Sequence, residues 1–339
     1  MERGERAWSN CPKFPEKCEQ YLLCDSRRRA PDLRRCPPRR SRVRPAGGDS
    51  ERSRCSAIYL RDGQTVIQFE LAGQTRRLSA LEVLMAQRVG AEFGWRALVG
   101  WIHSYGMLHS TPLDLYRIVP DGYGFLFTTL GKKDQSAEET DAALGRLLET
   151  AQLLAANGAE FFCINSSPMV THGGPGADLR LIASIREATG RPGTTTTTAA
   201  MRAMRAMGIT KIAMCSPYQA RNAKLIAFLE VNGFEVVGSY GMTEELTRIH
   251  RLPGEVAYRV GREAFRAAPG AQALYMAGGR LRAIDVIEEL ETDLKVPVIA
   301  STPAIVWEVL HYFGTTTPID GFGRLLSEFP ALAAGDRQL

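Results

Sequence analysis

Between residues 97 and 313, short apolar runs alternate with longer amphipathic stretches, and this alternation restricts the fold more than any other feature of the chain. The runs at 97–102, 124–129, 161–164, 211–215, 234–238, 271–276 and 296–300 have strand length, and 124–129 is rich in aromatic and β-branched residues. Helical stretches separate them, at 137–156, 178–188, 199–208, 220–231, 255–267, 284–294 and 302–313. A parallel strand pair needs a crossover of about helix length, so the spacing implies parallel sheets. The succession occurs twice. The reading is an α/β fold of two pseudosymmetric Rossmann-like lobes, with a cleft where their strand-end loops face each other.

Local signals agree with this division. Ser136-x-x-Glu139 is a capping box that opens one helix, and Gly158, Gly190, Gly208 and Gly233 each close one. Threonine is a poor helix former, so the five threonines at 194–198 read as a strand end or loop leading into a cap. Met201, Met204 and Met207 recur every three residues and read as core packing.

The stretch 161–176, FFCINSSPMVTHGGPG, organises the rest. Its apolar run is a buried strand that stops at Asn165, Ser166 and Ser167, then opens into a Pro/Gly loop carrying His172. Ligands of open α/β sheets bind outside the carboxyl ends of the strands, so small polar residues there are candidate ligand donors. Ser216-Pro217-Tyr218 and Ala277-Gly278-Gly279 end two later strands in the same way. The loop expected after the first strand holds His103, Ser104, Tyr105 and Gly106.

The net charge of +5 is unevenly placed. Residues 1–55 hold 15 Lys/Arg against 8 Asp/Glu, whereas the remainder holds 27 against 29. Five of the seven cysteines also lie in this segment, at spacings of 7, 6, 12 and 19 residues, none of them the short pair of a zinc site. Residues 1–55 read as a disordered basic tail, and as a candidate for translation from a start placed too far upstream. Neither a helix-turn-helix nor an aromatic-interleaved basic stripe accompanies the tail, so nucleic acid is not an expected partner. No apolar run reaches the length of a membrane span and no secretory signal is present, which leads us to expect a cytoplasmic protein without a membrane partner. Residues 56–93 form an extension with a hairpin signal at Asp62-Gly63 and a helix expected from Ser79 to about residue 93. The first lobe is assigned to 94–207, completed by 306–339, and the second to 208–305.

Several stretches in this order resemble the aspartate/glutamate racemase superfamily, in its arylmalonate decarboxylase and maleate cis-trans isomerase branch. They are Asn165-Ser166-Ser167, the threonine run into a helix ending Met207-Gly208, Ser216-Pro217-Tyr218, Ala277-Gly278-Gly279-Arg280-Leu281, and Pro297-Val298-Ile299 with Ser301-Thr302-Pro303-Ala304. The resemblance implies a cofactor-free enzyme with its site between the lobes. Racemases of the superfamily use one cysteine per lobe, maleate isomerases look to use the first as a nucleophile, and the decarboxylases keep the second as proton donor. By motif alignment the first position falls on Asn165 and the second on Ala277, so both thiols are replaced here. Ser166, Ser167, Tyr218 and the backbone N–H of Gly278 fall where the family cradles a carboxylate or enediolate. His103 and Ser104 fall where it contacts a substrate carboxylate, and Gly279 and His172 border the ligand. Many relatives self-associate, which makes a homo-oligomer compatible with the resemblance.

Preorganised hydroxyls and amides aimed at developing negative charge suit such chemistry on physical grounds alone. Gly278-Gly279 allows close backbone approach. Cys163 is expected one layer too deep to act, whereas Cys215 adjoins the Ser216-Pro217-Tyr218 turn. His109, His250 and His311 carry no signal. There is neither a metal-ligand trio nor a phosphate or dinucleotide fingerprint, so no cofactor or metal is expected. Two functions follow: an enzyme acting on a small carboxylate through an enediolate-type oxyanion, or a catalytically silent relative that binds one.

Overall fold

The computed structural model describes residues 54–61, 64–71, 74–79, 92–243 and 248–333. The chain divides into two compact units, 1–90 and 91–339. In the first, β1 (Arg54–Arg61), β2 (Gln64–Leu71) and β3 (Gln74–Ser79) form an antiparallel sheet in that order. The hairpin pairing expected here is present, with Arg61 opposite Gln64 and a bulge between Cys55 and Ala57. The third strand was not expected. Residues 1–53 and most of the helix expected after Ser79 lie outside the described residues.

The second unit holds two four-stranded sheets, all of whose strands run parallel. One contains β4 (Ala97–Tyr105), β5 (Tyr123–Lys132), β6 (Phe161–Asn165) and β7 (Gly193–Thr195), in the order β5-β4-β6-β7. The other contains β8 (Lys211–Ser216), β9 (Glu235–Gly241), β10 (Ala273–Met276) and β11 (Val298–Ala300), in the order β9-β8-β10-β11. The two orders are the same when each sheet is numbered along the chain, as expected of two lobes of one topology. In each sheet the winding reverses between the first and third strands, β4/β6 and β8/β10. That switch point is where such sheets open a crevice.

The helices are α1 (Thr111–Ile118), α2 (Ala137–Ala156), α3 (Ser167–His172), α4 (Ala177–Thr189), α5 (Thr196–Ala206), α6 (Gln219–Val231), α7 (Gly254–Arg266), α8 (Ile287–Leu294), α9 (Ser301–Tyr312) and α10 (Arg324–Glu328). The Ser136 cap is made, its hydroxyl accepting from Glu139 N, and α4 ends at left-handed Gly190. Sequence periodicity missed α1, α3 and α10, of eight, six and five residues, which offer only about two turns or fewer to read. None of the described helices is long and apolar enough to cross a membrane.

Helices α5 and α9 occupy equivalent positions, each following the fourth strand of its sheet. One continuous apolar cluster joins both sheets through them. Strand β6 alternates as a two-sided strand should: Phe161 and Cys163 face that cluster, while Phe162 and Ile164 face a second one that includes Leu147 and Ala151 of α2. Met201 and Met204 are buried in the main cluster, and Met207 packs at its edge. Inside the cluster the Arg202 guanidinium pairs with Glu308, tying α5 to α9.

Candidate functional site

The threonine run places the site, and its residues divide the work. Thr194 donates to Glu308 at 2.8 Å. Thr195 caps α5, accepting from Thr198 N at 3.0 Å. Thr198 donates to Asp178 at 2.9 Å, which ties α5 to α4. The Thr196 hydroxyl lies 3.1 Å from Asn165 Oδ1 and 3.2 Å from the Ile164 carbonyl. With its oxygen held by Thr196, the Asn165 amide lies close to the other sheet, Nδ2 marginally nearer than Oδ1. A Cβ placed on Gly279 would stand 3.5 Å from that nitrogen.

A pocket of about 60 Å³ lies where the two switch points meet. Strands β4 and β6 contribute His103, Ser104, Asn165 and, just beyond, Ser166 and Ser167. Strands β8 and β10 contribute Ser216, Tyr218, Ala277, Gly278 and Gly279. Nine of the ten residues expected at the site therefore line one cavity. No carboxylate and no thiol is among the described residues lining it.

His172 is the exception. It sits in the last turn of α3, away from the pocket, with Nε2 2.8 Å from Asp141 Oδ1 on α2. The Pro/Gly loop folds into a short helix that starts on the Ser166 cap, and this carries His172 around to the α2 side.

Two further expectations need correction. His103 and Ser104 are not in a loop: β4 runs on through Tyr105, with His103 in register with Asn165 on β6. The Gly278 amide is not free for a ligand either, because it donates to Ser301 Oγ at 3.0 Å. Gly278 has φ of +102°, and a Cβ there would come within 3.1 Å of Pro217. The glycine shapes the turn rather than supplying an open donor.

The side chains offer donors instead. Buried polar atoms without a protein partner occur on His103 (both ring nitrogens), Ser104 Oγ, Ser167 Oγ and Asn222 Nδ2, all of which line the pocket. Leaving such a group unsatisfied costs about 1–3 kcal/mol, so their convergence makes the pocket the candidate place for a polar ligand. Ser166 Oγ accepts from Met169 N at 3.3 Å and keeps its own proton to donate. Ser216 donates to Asn222 Oδ1 at 2.5 Å and accepts from Tyr218 N at 3.0 Å, which orients that turn. Burial pushes the Tyr218 hydroxyl well above the usual phenol range, although the nearby Arg280 charge opposes the shift, so the hydroxyl stays protonated as a donor.

Arg280, Tyr105 and Asn222 were missed in the sequence. Arg280 is only 8% exposed and lies over the Tyr105 ring at 4.3 Å, giving the pocket a cation. A polar Asn in the first turn of α6 was the available signal for Asn222. Both core cysteines stand outside the lining. Burial raises Cys163 well above the usual thiol range, and Cys215 to about 12. Both are inert thiols at neutral pH. Among the described residues no group of histidine, cysteine or carboxylate side chains is placed to hold a metal ion.

Fold and pocket together define a two-lobed α/β protein whose candidate site is a donor-rich gap between paired switch points. The arylmalonate decarboxylase family profile matches residues 106–326, and the chain belongs to that family. It is 30% identical to arylmalonate decarboxylase of Bordetella bronchiseptica over 221 residues, 64% of this chain and 91% of the relative. A crystal structure of a double mutant of arylmalonate decarboxylase in liganded form is 28% identical and superposes with a TM-score of 0.64, covering 68% of this chain and 99% of the other. The fold is shared more widely. A Nocardia farcinica maleate cis-trans isomerase mutant with a covalently bound succinylcysteine intermediate is 19% identical, with a TM-score of 0.62 over 68% of this chain and 98% of the other.

Proposed function

We propose that the protein is a cofactor-independent enzyme acting on a small carboxylate or dicarboxylate, in the manner of arylmalonate decarboxylase or maleate isomerase, through an enediolate-type oxyanion. One observation carries this reading: unpartnered buried polar groups from both lobes, His103, Ser104 and Ser167 from one and Asn222 from the other, converge on a pocket that contains a cation and, among its described lining, no carboxylate. Ser166, Ser167 and Tyr218 provide hydroxyls to an oxyanion, Asn165 and Asn222 provide amide hydrogens, and Arg280 provides countercharge. These groups are held in place before reaction, so they cost little reorganisation as charge develops on the substrate. His103, Ser104 and Gly279 complete the walls around the acid.

The test is turnover of phenylmalonate and maleate by the full chain, alongside Ser166→Ala and Tyr218→Phe. Removal of one oxyanion donor lowers kcat about 10²–10³-fold. Unchanged turnover in both variants would sink the reading.

A second reading is a silent relative that binds a carboxylate. It is favoured by the absence of any thiol from the described lining, since a route through a cysteine adduct is closed without one. Thermal stabilisation by the same acids with no product is its signature.

A further inference from the structure

Three of the chain's five histidines stand ring to ring beside the pocket, although they come from separate segments. His103, at the end of β4, meets His109 edge-on with ring centroids 5.3 Å apart. His109 stacks on His250, from the 3-10 turn Ile249–Arg251, at 5.7 Å. His103 lines the pocket and is 4% exposed, whereas His109 and His250 are half-buried, so the row runs from the pocket wall outward. Both ring nitrogens of His103 and of His109 are buried without a protein partner. Among the described residues, the ionisable groups beside the row are Arg280 and Tyr105, with Lys132 over the Tyr105 ring at 5.5 Å and Arg248 and Arg251 flanking His250 in the chain. None of these is acidic.

We propose that His103 is the proton-transfer residue of this pocket and that His109 and His250 connect it to solvent. The inference rests on the carboxylate-enzyme reading above and supplies the group that reading lacks, a proton carrier where no thiol is present. When a malonate-type acid loses CO2, the electron pair of the broken C–C bond is left on the enediolate carbon. The His103 N–H bond then breaks, a C–H bond forms, and the imidazole is left neutral. His103 regains its proton from His109, which regains one from His250 and water. The balance is acid anion plus one proton giving product plus CO2. The rings of His103 and His109 are not hydrogen-bonded to each other, so that transfer uses an imidazole rotation or an intervening water.

Electrostatics couples this row to the substrate. Burial, then the His109 and Arg280 charges, lower His103 to about 3, so the free protein holds it neutral. A carboxylate docked in the donor cradle brings the opposite charge to the same ring and favours the imidazolium. Proton uptake therefore accompanies binding.

The experiment is calorimetric titration of the full chain with phenylmalonate, and separately with maleate, in two neutral buffers of different ionisation enthalpy, together with turnover assays. Wild type is expected to take up as much as one proton per site, and His103→Gln to lose that uptake. The half-buried position gives a second variant: His250→Gln is expected to keep the uptake, lose at least tenfold in kcat, and recover with added imidazole. Turnover without proton uptake, or wild-type kcat in either variant, overturns the inference and leaves the carboxylate reading standing. Absence of turnover with both acids overturns the two together.

Discussion

Asn165 on one sheet and Gly279 on the other meet across the pocket, the asparagine Nδ2 lying 3.5 Å from where a Gly279 Cβ would be. Thr196 holds the amide oxygen, and on the function proposed above the nitrogen donates to the bound acid. Asn165→Asp replaces that donor with a carboxylate of the same shape facing the bound acid. Calorimetry is expected to show at least a tenfold loss of phenylmalonate or maleate affinity, without a matching loss of thermal stability.

The two glycines after β10 are expected to respond differently to alanine. Gly278 has positive φ and a close neighbour in Pro217, so Gly278→Ala strains the turn by about 1–3 kcal/mol, read as a lower denaturation midpoint. At Gly279 the added methyl makes ordinary contacts with Asn165 and Thr302. Gly279→Ala is expected to fold like wild type but to bind acids more weakly, because the methyl occupies the gap.

Two lowered histidines make stability depend on pH. His103 titrates at about 3 and His109 at about 4 in the folded chain, against 6.5 when unfolded, with burial the largest cause for both. Between those values the unfolded chain binds more protons. The stabilisation is therefore complete above about pH 6.5 and is lost as pH falls toward 4 and 3, with a slope of up to about 1.4 kcal/mol per pH unit for His103 and a smaller one for His109, which solvent partly screens. Denaturant unfolding across pH 4–7 checks this. His103→Gln with His109→Gln is expected to flatten the slope.

The buried pair of Arg202 and Glu308 is expected to hold the sheets' shared core. Glu308→Ala removes the carboxylate partner of Arg202 and the acceptor for Thr194, at a cost of about 3–5 kcal/mol in unfolding free energy. A midpoint unchanged in urea would show that α5 and α9 are held by apolar contact alone.

Much of the fold was legible because its signals are local. Strand length, apolar period, the Ser136 cap and the closing glycines each act within a few residues, and the elements they predict between residues 97 and 313 are present to within a few positions. The short helices α1, α3 and α10 escaped because about two turns or fewer give little period to read. Nine of the ten residues expected at the site line the pocket: sheets of this kind place ligands at strand ends, which drew attention to Asn165, Ser166, Ser167 and the turns after two later strands, and the family resemblance picked out the rest. His172 misled because a Pro/Gly loop does not reveal that it will close into a helical turn and face Asp141.

The alternation of apolar runs and helices, read alone, determined two parallel α/β lobes and put Asn165, Ser166, Tyr218 and Gly279 at their rims. Only the tertiary structure decided which rim atoms remain to be used. Gly278 spends its amide on Ser301, 23 residues further along the chain. Asn222 keeps an unpartnered nitrogen, and His103, His109 and His250 form a row that no spacing announces. Pairing among buried polar groups depends on which distant segments come within about 3 Å of each other, and that distance is set by the packing of one sheet against the other.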